Sequence, residues 1–130
     1  MMGLLNGVFG LHEPALAVRS RRLEMLARNI ANADTPHFKA RDLDVKALLA
    51  RAETQPSAMT ATHARHFPVG ELAGADGTRF RVPFNASMDG NTVELSVEQA
   101  NYGKAAADYQ ATLSFLENRV SGVRKALRGD

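Results

Sequence analysis

Residues 96–129, SVEQANYGKAAADYQATLSFLENRVSGVRKALRG, decide how this chain folds. Tyr102, Ala106, Tyr109, Leu113, Leu116, Val120, Val123 and Leu127 follow an unbroken alternation of four- and three-residue steps. Such steps keep apolar side chains on one side of an α-helix and form the seam of a coiled coil. Ser96, with Gln99 three residues on, reads as a capping box that opens the helix, and Gly129 supplies its stop. From Val97 to Arg128 the helix would run about 48 Å, at about 1.5 Å per residue.

A seam needs a partner, and the other end of the chain holds one. From about Glu13 to Ala33, the residues Leu16, Leu23, Leu26, Ile30 and Ala33 fall on one helical stripe. Leu11, Val18 and Met25 lie on roughly the opposite side, so the apolar face is wider than a single seam requires. Pro14 fits the first turn of a helix that begins near His12 or Glu13, where its missing N–H is not needed, which leaves residues 1–10 loose. A large apolar side chain contributes about 1.5–3 kcal/mol when fully buried. One short pair of helices is therefore expected to need neighbours.

Between the helices the chain changes character. Thr35 to Thr92 holds four of the five prolines and the turn signals Thr35-Pro36, Gln55-Pro56, Asp76-Gly77 and Asp89-Gly90. Asp44 or Asp42 is placed to cap a short helix through Val45, Leu48, Leu49 and Ala52. Arg79 to Phe84 alternates like a strand, and Val93-Glu94-Leu95 is the segment expected to pair with it as a small β-hairpin. Glu53 to Ala75 reads as a long loop. The expected architecture is thus mainly α. A flexible N-terminus (1–12) precedes an N-terminal helix (13–34) that pairs as a coiled coil with a C-terminal helix (96–130), and a loop-rich insert (35–95) carries the short helix and the hairpin.

Composition narrows the function. Sixteen basic and fourteen acidic residues leave a formal net charge of +2, with the signs interspersed and no run of three like charges. That pattern resembles neither a nucleic-acid-binding nor a membrane-surface sequence. Without cysteine there is neither a disulfide framework nor a thiolate metal site, and an oxidising compartment carries no risk of mispairing. The first residues lack the basic start and apolar run of a cleavable secretory signal. No nucleophile elbow, phosphate loop or zinc pattern is present. His63 and His66, with Asp76 or Glu71, have the spacing of a weak metal motif, but the third ligand is unsupported and the pair reads as two loop histidines beside Arg65. Asp42 and Asp44 are two apart, do not share a helical face, and read as capping and surface charges rather than an acid–base pair.

Asn29 to Val45, NIANADTPHFKARDLDV, has a direct physical reading as a helix stop. Asn32 can take the left-handed conformation, Pro36 pushes Thr35 to an extended one, and the proline ring forbids continuation. The whole string strongly resembles the N-terminal signature of the bacterial flagellar axial proteins, the rod and hook family, whose NIANADTP core is long enough to be specific. Ser87 to Leu95, SMDGNTVEL, followed by the heptad helix and the ending Ala126-Leu127-Arg128-Gly129, looks like the proximal-rod members. Thr62 to Pro68 is similar to a segment those members carry after their central helix. Residues 53–59 and 70–78 match little, and the chain departs from the usual family pattern at His37 (usually Gly), at Phe38 (usually Tyr) and at Pro14.

Carried onto this chain, the resemblance marks Asn29, Asn32, Thr35, Pro36, Phe38, Arg41 and Asp42, and then Asp89, Gly90, Asn91 and Thr92, as signature residues. It implies a structural subunit without catalysis or cofactor, assembled through the stripes of Leu16, Leu23, Leu26 and Ile30 and of Tyr102 to Leu127. It further implies export of the unfolded chain by the flagellar type III apparatus and a place in the basal-body rod within the periplasmic space. The implied partners are copies of itself, other rod subunits, membrane-ring and FliE-like adaptor proteins, and the export gate. The rival from another class is a cytoplasmic helical-hairpin adaptor or chaperone, since heptads are generic. A simple hairpin has no reason to carry both signature strings beside a loop-rich insert. A nucleic-acid binder would lose affinity steeply with salt, and the balanced charges give no ground for it.

Overall fold

A computed structural model describes residues 12–54 and 77–129. Its elements are helix α1 (His12–Ala31), strand β1 (Arg41–Leu43), helix α2 (Val45–Thr54), strand β2 (Thr78–Phe80) and helix α3 (Leu95–Arg128). The fold is mainly helical, with the long first and last helices packed against each other and a short helix and a two-stranded antiparallel sheet between them. The expectations for residues 1–10, for most of the 53–75 loop and for His63 and His66 lie outside the described residues. Glu53 and Thr54 close α2 instead of opening a loop.

Local chemistry accounts for most of the boundaries. α1 is rich in Ala, Leu, Arg and Glu, strong helix formers, and carries Pro14 in its first turn. α2 opens where Asp44 accepts a hydrogen bond from Ala47 N at 3.1 Å through its carboxylate, so Asp44 is the cap. α3 ends at Gly129, whose φ of 75° is left-handed and whose N–H donates to Lys125 O. Its start differs from expectation: the helix begins at Leu95, and the N-cap residue Glu94 makes no side-chain capping bond. Ser96 therefore lies inside the first turn and forms no capping box. Glu94 turns its carboxylate to Phe84 N at 2.7 Å, which ties the incoming chain to the helix entrance.

The sheet corrects the expected hairpin. β2 pairs with β1, in the register Arg41 to Phe80, Asp42 to Arg79 and Leu43 to Thr78. Arg81 N, donating to Ala40 O at 2.8 Å, continues the pairing by one residue. Val93 and Glu94 are not strand, and Leu95 is already helical. Alternation identified the strand but contained nothing about its partner, which is brought in from across the insert. Gly77, just before β2, accepts Asp44 N through its carbonyl at 2.8 Å. Its φ is +75°, and a Cβ there would lie 2.7 Å from Leu48 Cγ, so a side chain is excluded twice over.

α1 and α3 run antiparallel, with Asn29 opposite Glu98 and Arg19 opposite Asp108 and Thr112. Among the described residues the buried apolar set is small: Ala15, Leu26, Ala40, Leu43 and Ala105. Polar groups take the rest of the interior. Glu98 has no exposed surface and receives Arg81 Nε at 3.0 Å and Asn29 Nδ2 at 3.1 Å. Arg81 reaches on to Asp42 at 3.1 Å, and Asp42 also accepts Arg22 Nε at 3.0 Å. Asp42 is thus a half-buried bridge between two arginines and not a surface charge. Its hydrogen bond raises the already high pKa of Arg22, outweighing the opposing effect of burial.

Breaking one side of such a network leaves a buried charge uncompensated. Arg81→Met is expected to cost about 3–5 kcal/mol in urea unfolding. Adding Glu98→Leu should recover part of that loss, because it removes the stranded carboxylate. A double variant less stable than Arg81→Met alone would count against a buried ion-pair network at this position.

Candidate assembly site

The heptad stripe of α3 and its deepest contact with α1 are not the same line. Glu98, Ala105 and Thr112, the buried residues of α3, recur every seven positions. Tyr102, Tyr109, Leu116 and Val123 follow each of them, or their continuation, by four positions, which is about 40° further round the helix. Ala106, Leu113, Val120 and Leu127 lie about 40° beyond that. The stripe therefore flanks the α1 contact. Tyr109, Leu113, Leu116, Val120 and Val123 are half-buried, while Tyr102 is 40% and Leu127 79% exposed. On α1, Leu26 is fully buried and Leu16, Leu23 and Ile30 are half-buried. The described helices so bring the α1 stripe inward and leave one flank of the α3 stripe facing out.

The two signature strings, about 50 residues apart in the chain, meet at the end of α1. Asn29, 1% exposed, pairs with the backbone of Arg41 as a strand would: Nδ2 donates to Arg41 O at 2.7 Å and Oδ1 accepts Arg41 N at 3.2 Å. Asn91 Nδ2 lies 3.0, 2.9 and 2.8 Å from the carbonyl oxygens of Asn32, Ala33 and Thr35, where the chain leaves the helix. Its Oδ1 accepts Val93 N at 2.7 Å. Thr92 is a third tie, its hydroxyl accepting Ala40 N at 2.8 Å and its N–H donating to Phe38 O at 3.0 Å. These side chains satisfy the orphan carbonyls and amides that the helix end and turn would otherwise leave unmade.

Two details of the helix stop differ from expectation. Asn32 is not left-handed. It stays in a turn, its side chain bonded to Arg28 O and Thr35 Oγ1. The left-handed residue is His37, with φ of 61°. This is the position where glycine is usual in the pattern that the chain otherwise resembles, and the conformation explains that usage. Space for the imidazole comes from Gly90, where a Cβ would stand 3.0 Å from His37 Nδ1. Nor does Pro36 end the helix. α1 stops at Ala31, and Pro36 is exposed in the turn beyond it.

Sequence reasoning missed Arg19, Arg22, Glu98 and Thr112 on the two long helices, and Arg81, which reaches Glu98 from the segment after β2. The seven-residue spacing of Glu98, Ala105 and Thr112 marks one helical face beside the apolar stripe but carries no signal of its burial. Among the described residues no group of three acidic or imidazole side chains is placed to hold a metal, and no helix is long and apolar enough to cross a membrane.

Asn91 is the most exacting of the clamp residues. Asn91→Ala is expected to cost about 1–3 kcal/mol and to speed amide exchange over residues 32–40, since buried carbonyls lose their donor. Asn91→Asp, nearly the same shape, should do no better because a carboxylate has no N–H to give. Full protection in Asn91→Asp would remove the amide from this role. Asp89 behaves differently with pH: the Ser87 hydroxyl and then Asn91 N–H hold its pKa below the ordinary 3.8. Its stabilising share is present above that ordinary value and is lost as pH falls through the lowered one. A carboxyl NMR titration of wild type and Ser87→Ala should show the Asp89 midpoint move upward in the variant.

Residues 11–39, which contain α1 and the turn after it, match the family model described as flagella basal body rod protein. A flagellar basal body rod protein FlgB of Cereibacter sphaeroides is 45% identical over 121 residues, covering 93% of this chain and 94% of the relative. FlgB of Aeromonas hydrophila is 41% identical, covering 94% and 93%. FlgB of Salmonella typhimurium is 35% identical, covering 99% of both. With identity at this level over nearly its whole length, the chain belongs to the family of flagellar basal body rod proteins, structural components of the flagellar basal body.

Proposed function

We propose that this rod subunit is exported unfolded by the flagellar type III apparatus and polymerises through its paired terminal helices in the proximal rod, within the periplasmic space. The observation that carries the reading is the outward flank of the α3 stripe. Leu95, Tyr102 and Leu127 remain exposed although α3 is already packed on α1. A row of apolar side chains at helical spacing that the fold itself leaves open is a surface for another helix. Its occupants are copies of this chain and other rod subunits, with membrane-ring and FliE-like adaptor proteins at the base. The small apolar core among the described residues supports passage in an unfolded state: a helix pair whose interior is largely a polar network opens readily, and assembly supplies further burial.

Leu127→Asp separates folding from assembly. The side chain is exposed, so the monomer should lose no more than about 0.5 kcal/mol, as surface changes usually do. Rods should nevertheless fail to form, and the subunit should be found outside the cytoplasm but absent from isolated basal bodies. Glu117→Ala, exposed and off the stripe, should swim and assemble as wild type. Normal basal bodies containing Leu127→Asp, located by immunogold labelling, would refute assembly through this flank. Retention of the variant in the cytoplasm would instead count against the export step.

A further inference from the structure

The two edges of the small sheet are finished differently. Along the outer edge of β1 the Asn29 side chain stands in for a further strand, giving Nδ2 to Arg41 O at 2.7 Å and taking Arg41 N on Oδ1 at 3.2 Å. The other edge belongs to β2. Asp44 N donates to Gly77 O and Arg81 N to Ala40 O, so in this register Arg79 and Arg81 turn their backbone groups to β1, while Phe80 and Val82 turn theirs outward. Among the described residues no hydrogen bond meets the backbone of Phe80 or Val82 on that side. Their side chains, 61% and 85% exposed, share the face opposite Arg79 and Arg81, which reach Asp44 and Glu98. Two strands of three residues are a marginal sheet, and a third strand is what usually makes one stable.

We infer that the open edge of β2 accepts an extended segment of a different protein as a third strand, one that alternates apolar and acidic residues. The backbone selects the conformation. The outward N–H and C=O groups of Phe80 and Val82 stand two residues apart, the repeat of a strand, and a helix, whose backbone bonds are internal, has nothing to give them. The side chains select the composition. Apolar residues of the incoming strand cover Phe80 and Val82 on one face, and acidic residues on the other meet Arg79, which is 74% exposed although paired with Asp44 at 3.1 Å. A guanidinium carries five donors, so a second carboxylate can join the first. Pro83 lacks an N–H and ends the ladder. A second copy is a poor occupant, because its β2 on this edge would set the arginine faces of two strands side by side. The edge is separate from the α3 flank assigned to polymerisation, so the inference does not rest on that assignment.

The test is an NMR titration of the full, isotope-labelled chain with a synthetic peptide of alternating valine and glutamate, blocked at both ends. Bound peptide should slow amide exchange at Phe80 and Val82 roughly tenfold or more, and leave Arg79 and Arg81, already bonded to β1, unchanged. A fully N-methylated peptide of the same sequence has no backbone donors and should bind roughly tenfold more weakly or worse. A peptide with lysine in place of glutamate should also bind more weakly, since it meets Arg79 with its own sign. Val82→Pro removes an outward N–H and should abolish binding, while Ser121→Ala, exposed on α3, should leave it unchanged. If Val82→Pro lowers the melting temperature, the N-methylated peptide on the wild type gives the reading in its place. No binding to the wild type, equal protection at all four amides, or equal binding of the N-methylated or lysine peptide would each overturn the inference. So would slow exchange at Phe80 and Val82 in the free chain: a dependence on protein concentration would put a second copy on the edge, and its absence a segment of the same chain.

Discussion

The buried carboxylate of Glu98 is the point on which the rest of the structure depends. It sits in the first turns of α3 with no exposed surface, and its charge is met by Arg81 from the segment after β2 and by Asn29 from α1. Three separated parts of the chain must therefore be in place together before the charge is compensated. Because Arg81 also holds Asp42, and Asp42 also holds Arg22, the same requirement reaches β1 and the middle of α1. An apolar interface tolerates sliding by a turn. A buried charge network does not, since each shift would strand a carboxylate in a dry site. The network thereby sets the register of α1 against α3 while adding little net stability of its own.

That choice of interior has a consequence for the outer surface. Polar residues occupy much of the line along which α3 meets α1, so apolar side chains that would otherwise close this contact are displaced about 40° to its flank. The helix is used on two neighbouring strips, one polar and internal, one apolar and open. Under the proposed assembly through this flank, registry is fixed inside the subunit and the hydrophobic contribution is held for its neighbours.

The signature residues act at a different level. Asn29, Asn91 and Thr92 use side-chain amides and a hydroxyl in place of backbone partners, and so turn the chain sharply out of α1 without leaving carbonyls or amides unpaired. An asparagine amide carries a donor and an acceptor at the length of one peptide group, which suits it to this role at Asn29 and Asn91. His37 shows the tolerance of the arrangement: a left-handed residue with a full side chain is accepted because Gly90 leaves room beside it.

Periodicity and capping chemistry are local, and what depends on them was legible in the residues alone. Both long helices, the Gly129 stop and the short helix from Val45 with an aspartate cap at 42 or 44 follow from spacing and side-chain type, as does the family through its two long strings; the structure selects Asp44. Partnership is not local. Which strand Arg79 to Phe80 would join, which of two adjacent stripes α3 would turn inward, and that Asn29 would close the outer edge of β1 depend on distances that exist only after the chain has closed. The apolar stripe of α3 stood out in the sequence because hydrophobicity is read residue by residue. The Glu98, Ala105 and Thr112 line stayed hidden because a charged side chain is compatible with burial only when its partners arrive from elsewhere in the fold, and no spacing along the helix records their arrival.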